Sequence, residues 1–234
     1  MKHAQLIFGL LTITLSTGPA FASGHGEGGT SPQKAFKMLQ EGNKRFISGE
    51  FDHAEKVSEK RRRELASGQQ PHTILLSCSD SRVSPEIVFD QGLGEVFPIR
   101  VAGNVVTSAG IASIEYALEH LGAKLLVVMG HESCGAVKAA LNTPVGKTAG
   151  SVNLDLLLSD MRPYLKESSR HIAADDKKLR APAMANVNGV VCKLLSRSKI
   201  IRQRFEKGEL MIKSSIYSLE SGKADFWDSS KYCP

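Results

Sequence analysis

The run "KLLVVMG", Lys124 to Gly130, limits the fold more than any other stretch of this chain. It is apolar without alternation, as expected of a strand covered on both faces, and such strands belong to parallel sheets flanked by helices. "HTILLSCS" from His72 is a second short run rich in Ile and Leu, consistent with a buried strand. "EVFPIRVAG" is a third, in which Pro98 cannot donate to a ladder and points to an edge or a bulge. Helical stretches alternate with these runs. "TSAGIASIEYALEHLG" sets Ile111, Ile114, Leu118 and Leu121 on one face and stops at Gly122, and "CGAVKAAL" opens another helix. "SVNLDLLLSDMRPYL" and the long "MANVNGVVCKLLSRSKIIRQRFEKG" follow, and "ELMIKSSIYSLESGKADFW" ends the chain as two strands around "ESGK". The alternation predicts an α/β fold, a mainly parallel central sheet flanked by helices. Upstream, "SPQKAFKMLQEGNKRFISGEF" has Ser31 as N-cap and Pro32 at the first helical position. With a second helix over Ala54 to Ala66, it forms an N-terminal helical arm. Residues 31–234 suffice for one domain with a real core.

The first residues stand apart from that fold. Lys2 and His3 precede an apolar run, Leu6 to Leu15, and "STGPAFA" ends in the small-x-small pattern Ala20-Phe21-Ala22. This predicts a secretory signal peptide over 1–22, removed to leave a chain beginning near Ser23, with a Gly-rich flexible tether over 23–30. The apolar run falls short of the roughly 20 residues a membrane-spanning helix needs, and no later segment is long and apolar enough. The expectation is an exported protein, periplasmic or, without a periplasm, secreted, with no membrane association after cleavage. Removing 1–22 takes away Lys2 alone, so the balance falls from +6 to +5. Much of the excess lies in "KRRRE", Lys60 to Glu64, without interleaved aromatics or a reading motif, which argues for a solvated helix face and against a nucleic-acid partner.

Four cysteines in an exported chain invite disulfides. Cys192, among apolar residues in "NGVVCKLL", reads as a small core side chain. A Cys192–Cys233 bridge would tie down the C-terminus, but the sequence alone does not bring their Cα atoms together. Cys78 and Cys134 sit differently. Cys78 lies just past the first strand, in "LLSCSDSRVSPE", and His131 and Cys134 just past "KLLVVMG", in "HESCGAV". In open parallel sheets, sites form outside the carboxyl ends of strands, where such loops converge. Two thiolates and an imidazole suit Zn²⁺, and three protein ligands leave a fourth position open. Neither a fourth ligand for a closed site nor a redox Cys-x-x-Cys is present. A helix starting near Cys134 favours its thiolate. Asp80 lies two residues from one ligand, near enough to accept a hydrogen bond from water at the metal, and Arg82 can keep it ionised and oriented. Two thiolates neutralise the metal, so a carboxylate acceptor beside the water has a physical task.

"CSDSRV", "GEVFPIRVAGNVV" and "HESCGAV", in that order, resemble the β-class carbonic anhydrases in their plant-like branch, with a likeness from "EGNKRF" (Glu41 to Phe46) to "YSLESGKADF". The resemblance implies reversible hydration of CO₂ to bicarbonate and a proton by zinc-bound hydroxide. It implies one Zn²⁺ per chain on Cys78, His131 and Cys134, with Asp80 and Arg82 as the catalytic dyad. Gln69, Phe97 and Tyr116 fall in register with that branch's pocket residues, and Ala102 stands where the branch has Val, a departure that would widen the CO₂ pocket slightly. Taken alone, Gln69 would be a solvated loop residue, Phe97 a core aromatic and Tyr116 a packed helix residue. A homodimer or homotetramer is implied too, with the N-terminal helices wrapping the partner. Another branch closes the zinc with the motif Asp and binds regulatory bicarbonate through Trp and Arg; Trp227, the only Trp, lies near the C-terminus, so that site is not expected. His53, His72, His120 and His171 read as ordinary surface histidines, and Glu132 as solvent-facing. Two rivals remain: a zinc hydrolase of another small linear molecule such as carbon disulfide, and a non-catalytic zinc-binding protein. The Asp80–Arg82 pair argues against the second.

Overall fold

The computed structural model describes residues 29–52, 54–168 and 178–233. The expected leader at 1–22, most of the tether, His53 and His171 lie outside the described residues. Helix α1 (Pro32–Ser48) is capped by Ser31, whose hydroxyl accepts from the Lys34 amide, and ends at Gly49 in the left-handed region. The expected helix over 54–66 is instead α2 (Glu59–Glu64) between two single 3₁₀ turns. Ser58 is the reason: its backbone is extended and its hydroxyl caps the Arg61 amide, so the helix restarts there.

Next come β1 (Thr73–Ser77), α3 (Pro85–Val88), β2 (Val96–Arg100), α4 (Ser108–His120) and β3 (Leu125–His131). They are followed by α5 (Gly135–Asn142), α6 (Val152–Ser168), α7 (Arg180–Arg197), α8 (Lys199–Glu206), β4 (Met211–Tyr217) and β5 (Ala224–Trp227). The stretch read as one long helix is thus two, α7 and α8. Ser198 leaves the helical region and turns its side chain into a cap, accepting from the Ile201 amide while donating to Glu115 Oε1. No described helix is long and apolar enough to cross a membrane.

The sheet order is β2-β1-β3-β4-β5, parallel except for the β4–β5 pair. Pro98 lies on the edge strand β2, as its missing N–H requires. Every residue of β3 is buried, because helices cover both faces. On one face Ile74, Leu76, Leu126 and Val128 pack with Ile114 and Leu118 of α4 and with Val187, Val191 and Leu194 of α7. On the other, Leu75, Val127 and Met129 pack with Ala35 and Leu39 of α1 and with Val88 and Phe89. Fully burying each such side chain contributes roughly 1.5–3 kcal/mol.

Two features of the sheet position the site. The chain runs from β1 to β2 on one side and then crosses to β3 on the other, so β1 and β3 flank the topological switch point, where a crevice opens at their carboxyl ends. Ser77 pairs with Met129, so Cys78 leaves β1 level with the last two residues of β3, Gly130 and His131. A Cβ on Gly130 would come within 2.8 Å of Val187 Cγ2, so glycine there lets α7 lie close beside the crevice.

Candidate metal centre

Cys78, His131 and Cys134 meet in that crevice, with one donor atom from each lying within 4.8 Å of the others. All three are buried, and Cys78 and Cys134 belong to an apolar cluster with Val105, Val137, Leu158 and Met161 of the covering elements. His131 Nδ1 lies 2.8 Å from the Glu132 carbonyl. A carbonyl only accepts, so Nδ1 carries the proton and Nε2 the lone pair. Nε2 is buried with no hydrogen-bond partner among the described residues, which is what a metal ligand leaves behind when protein atoms alone are counted. Cys134 occupies the N-cap position of α5, where the helix dipole favours a thiolate.

The Cys134 thiol beside Cys78 lowers the Cys78 pKa despite burial, assisted by His131 and the amides of Asp80 and Gly103, while the same contact and burial raise that of Cys134. The Gly103 N–H donates to Cys78 Sγ at 3.3 Å. Two sulfurs and a lone-pair nitrogen, converging in a buried pocket with two internal donors already aimed, fit a zinc ion.

Asp80 stands at the rim. Arg82 grips its carboxylate with two bonds, Nε to Oδ1 at 2.9 Å and Nη2 to Oδ2 at 2.7 Å, and the Arg82 amide adds a third at 3.0 Å. These hold the Asp80 carboxyl well below the usual carboxylate range. Asp80 Oδ2 lies 3.8 Å from His131 Nε2, beside the three-ligand cluster and outside it.

Residues 73–224 match the family model described as carbonic anhydrase. Carbonic anhydrase 2 of Mycobacterium tuberculosis is 39% identical over 197 residues, covering 83% of this chain and 92% of that protein. The chain belongs to the β-class carbonic anhydrases. Among solved structures of that class, one from Aspergillus fumigatus is 28% identical with a TM-score of 0.65, covering 83% of this chain and 91% of the other. A study of two tetrameric β-carbonic anhydrases of Sordaria macrospora gives a match at 27% identity and TM-score 0.64, covering 70% of this chain and 84% of that one.

Within this carbonic anhydrase fold, the other residues singled out in the sequence are dispersed. Phe97, on β2, is half-buried against the α4 side of the core. Gln69 and Ala102 are exposed, and Tyr116 is 46% exposed with its ring 5.0 Å from that of His120. Other expectations are corrected outright. Glu132 does not face solvent: it is buried and paired with Arg180 at 2.8 Å, a partner 48 residues away. His72 is no surface histidine; it is buried between Thr73 Oγ1 and Gln91 Oε1, and burial lowers its pKa. Cys192 is not a free core side chain but is bonded to Cys233, their Cα atoms 5.1 Å apart.

Arg100 was missed in the sequence. From the end of β2 its Nε donates to the Cys78 carbonyl at 3.2 Å and its Nη2 to the Asp80 carbonyl at 2.7 Å. It thereby fixes the loop that carries both a ligand and the acidic partner. Its place within "GEVFPIRVAGNVV" was the available signal, since that run carried the family likeness.

Proposed function

We propose that this carbonic anhydrase hydrates CO₂ reversibly to bicarbonate and a proton, using one zinc ion held by Cys78, His131 and Cys134 with Asp80 and Arg82 as the working dyad. The observation that carries the reading is the convergence of the three ligand atoms with the Arg82-clamped Asp80 beside them. Zinc, when bound, would supply the Lewis acidity that carbonic anhydrases use to make hydroxide available near neutral pH. The chain supplies the rest. Asp80, kept anionic by Arg82, accepts a hydrogen bond from the attacking water at a carboxylate oxygen and turns its lone pair toward the substrate. Arg100 keeps that carboxylate in place by holding its main chain. Asp80 is engaged bidentately by Arg82 and stands outside the ligand cluster, which supports the open, plant-like arrangement.

Phe97, Ala102 and Tyr116 would wall the CO₂ pocket, and Gln69 would hydrogen-bond substrate or product. The exposure of Gln69, Ala102 and Tyr116 in one chain supports a pocket completed by a second copy, in a homodimer or a homotetramer of such dimers; the Sordaria relatives are tetrameric. Export is supported by Cys192–Cys233, because such bridges persist in oxidising compartments. The leader over 1–22 and a periplasmic location are part of the same proposal. N-terminal sequencing of the protein from fractionated cells should begin near Ser23, and an intact Met1 would refute it.

Hydration rate and zinc content, measured on wild type and on Cys134→Ser, test the reaction. Wild type should hold one zinc and hydrate CO₂, and Cys134→Ser should lose both. Zinc-loaded wild type with no rate above buffer would overturn the proposal, and turnover of carbon disulfide instead would favour the hydrolase.

A further inference from the structure

Neither the dyad nor the ligands explain why two polar side chains of α7, one buried and one half-buried, face the metal loops. Asn186 is fully buried, and its Nδ2 donates to the Gly103 carbonyl at 2.7 Å. Gly103 holds a left-handed conformation, φ +66°, where a Cβ would sit 2.7 Å from Met161 Sδ. This same residue turns its N–H onto Cys78 Sγ. Six residues earlier, Arg180 bonds Glu132 Oε1 at 2.8 Å and Asp225 Oδ2 at 2.6 Å, tying "HESC" to β5. Glu132 in turn presents the carbonyl that orients His131. The neighbouring Ser133, at φ +53°, donates its amide to the Lys178 carbonyl just before α7.

We propose that α7 is the positioning element of the metal centre, with Asn186 setting the donor to Cys78 and Arg180 setting the orientation of His131. Both residues act through others and touch neither metal nor substrate. Loss of Asn186 frees Gly103, so its amide drifts from the thiolate. Loss of Arg180 leaves Glu132 buried without its cation, and the carbonyl that holds Nδ1 moves with it. Outer partners of this kind change metal affinity by about 10–100-fold when removed.

The proposal rests on zinc binding by Cys78, His131 and Cys134, and the test separates the two. Zinc release to a chelator would be timed for wild type, Asn186→Leu and Arg180→Met, and the sulfur-to-metal charge-transfer band recorded with cobalt(II) in place of zinc. Asn188→Ala is the control. It lies on the same helix, but its side chain accepts from Trp227 Nε1 and Ser229 Oγ, away from the ligands. Expected are a release about tenfold or more faster in Asn186→Leu, with a shifted band, and faster release in Arg180→Met. Asn188→Ala should lower the melting temperature while leaving release and band at wild-type values. Wild-type release and band in both α7 variants, or equal changes in Asn188→Ala, would overturn the proposal. If Asn186→Leu does not fold, Arg180→Met alone decides, and a wild-type release rate there refutes it. Failure of wild type itself to bind zinc would instead sink the ligand assignment.

Discussion

The chain contains two cysteine pairs that have opposite fates in one fold. Cys78 and Cys134 are free, buried at the carboxyl edge of the sheet, while Cys192 and Cys233 are bonded at the far half of α7. Composition alone does not separate them, although Cys78 and Cys134 are buried and Cys192 and Cys233 half-buried. What differs is the company. Cys78 and Cys134 face a histidine lone pair and a backbone donor, so a cation can satisfy both thiolates at once. Cys192 and Cys233 are bonded to each other, and the bond anchors the C-terminal segment to a core helix. The same residue type becomes a metal ligand or a staple according to which groups the backbone delivers beside it.

The largest effect should come from breaking the first pair. Cys134→Ser replaces a soft thiolate with a hydroxyl that stays protonated, so zinc binding and hydration should both fall to background. Metal analysis and a CO₂ hydration assay check this, and retained zinc would mean that the pair is not the ligand set. The second pair, and the melting behaviour it protects, should be little changed.

Asp80→Asn asks whether holding the metal and using it are separate tasks. The amide keeps size but loses the acceptor's charge, so the rate should drop about 10²–10⁴-fold with zinc content unchanged. Arg82→Gln sharpens the point through pH. Arg82 lowers the Asp80 pKa in the folded protein, so the ionised dyad and its stabilising contribution are present above the ordinary unfolded value of about 3.9 and lost only as pH falls through the depressed one. Removing Arg82 should move that loss upward and add an acid limb below about pH 5 to the rate profile. An unchanged profile would show that Arg82 does not set the charge of Asp80.

The metal pair was legible in the sequence for a local reason. "KLLVVMG" announces a buried parallel strand, and a ligand that follows such a strand must lie at its carboxyl end. Two strands were therefore enough to place Cys78 beside His131. The staple could be named only as a possibility, because its halves are 41 residues apart and nothing local distinguishes Cys192 from a core cysteine. Glu132 failed similarly, since an acid next to a ligand looks exposed until Arg180 arrives from a distant helix. The α7–α8 break escaped because a serine within an apolar helical pattern is a weak stop signal; Ser198 caps the Ile201 amide locally, and the bond its hydroxyl donates to Glu115 is tertiary. Gln69, Ala102 and Tyr116 were named only through the family register, and one chain leaves them at its surface.

Stripping zinc should expose a moderate difference between the pairs. Without metal, Cys78 and Cys134 are free thiols, and alkylation should label both while sparing the bonded Cys192 and Cys233. Restoring zinc should suppress labelling of the first pair. Equal labelling of all four in both states would erase the distinction.

The smallest effect on turnover should follow loss of the staple. A bridge spanning 41 residues restricts the unfolded chain, and removing it in a Cys192→Ala/Cys233→Ala variant should cost about 2–4 kcal/mol of stability. Turnover per folded molecule should stay at the wild-type value, because α7 is still seated by Val187, Val190, Val191 and Leu194 and still reaches the metal loops through Arg180 and Asn186. Denaturant unfolding and zinc release, measured on the same preparation, separate the two quantities. If zinc release accelerates in step with the lost stability, the staple acts on the metal centre through α7, and the two pairs are a single coupled device.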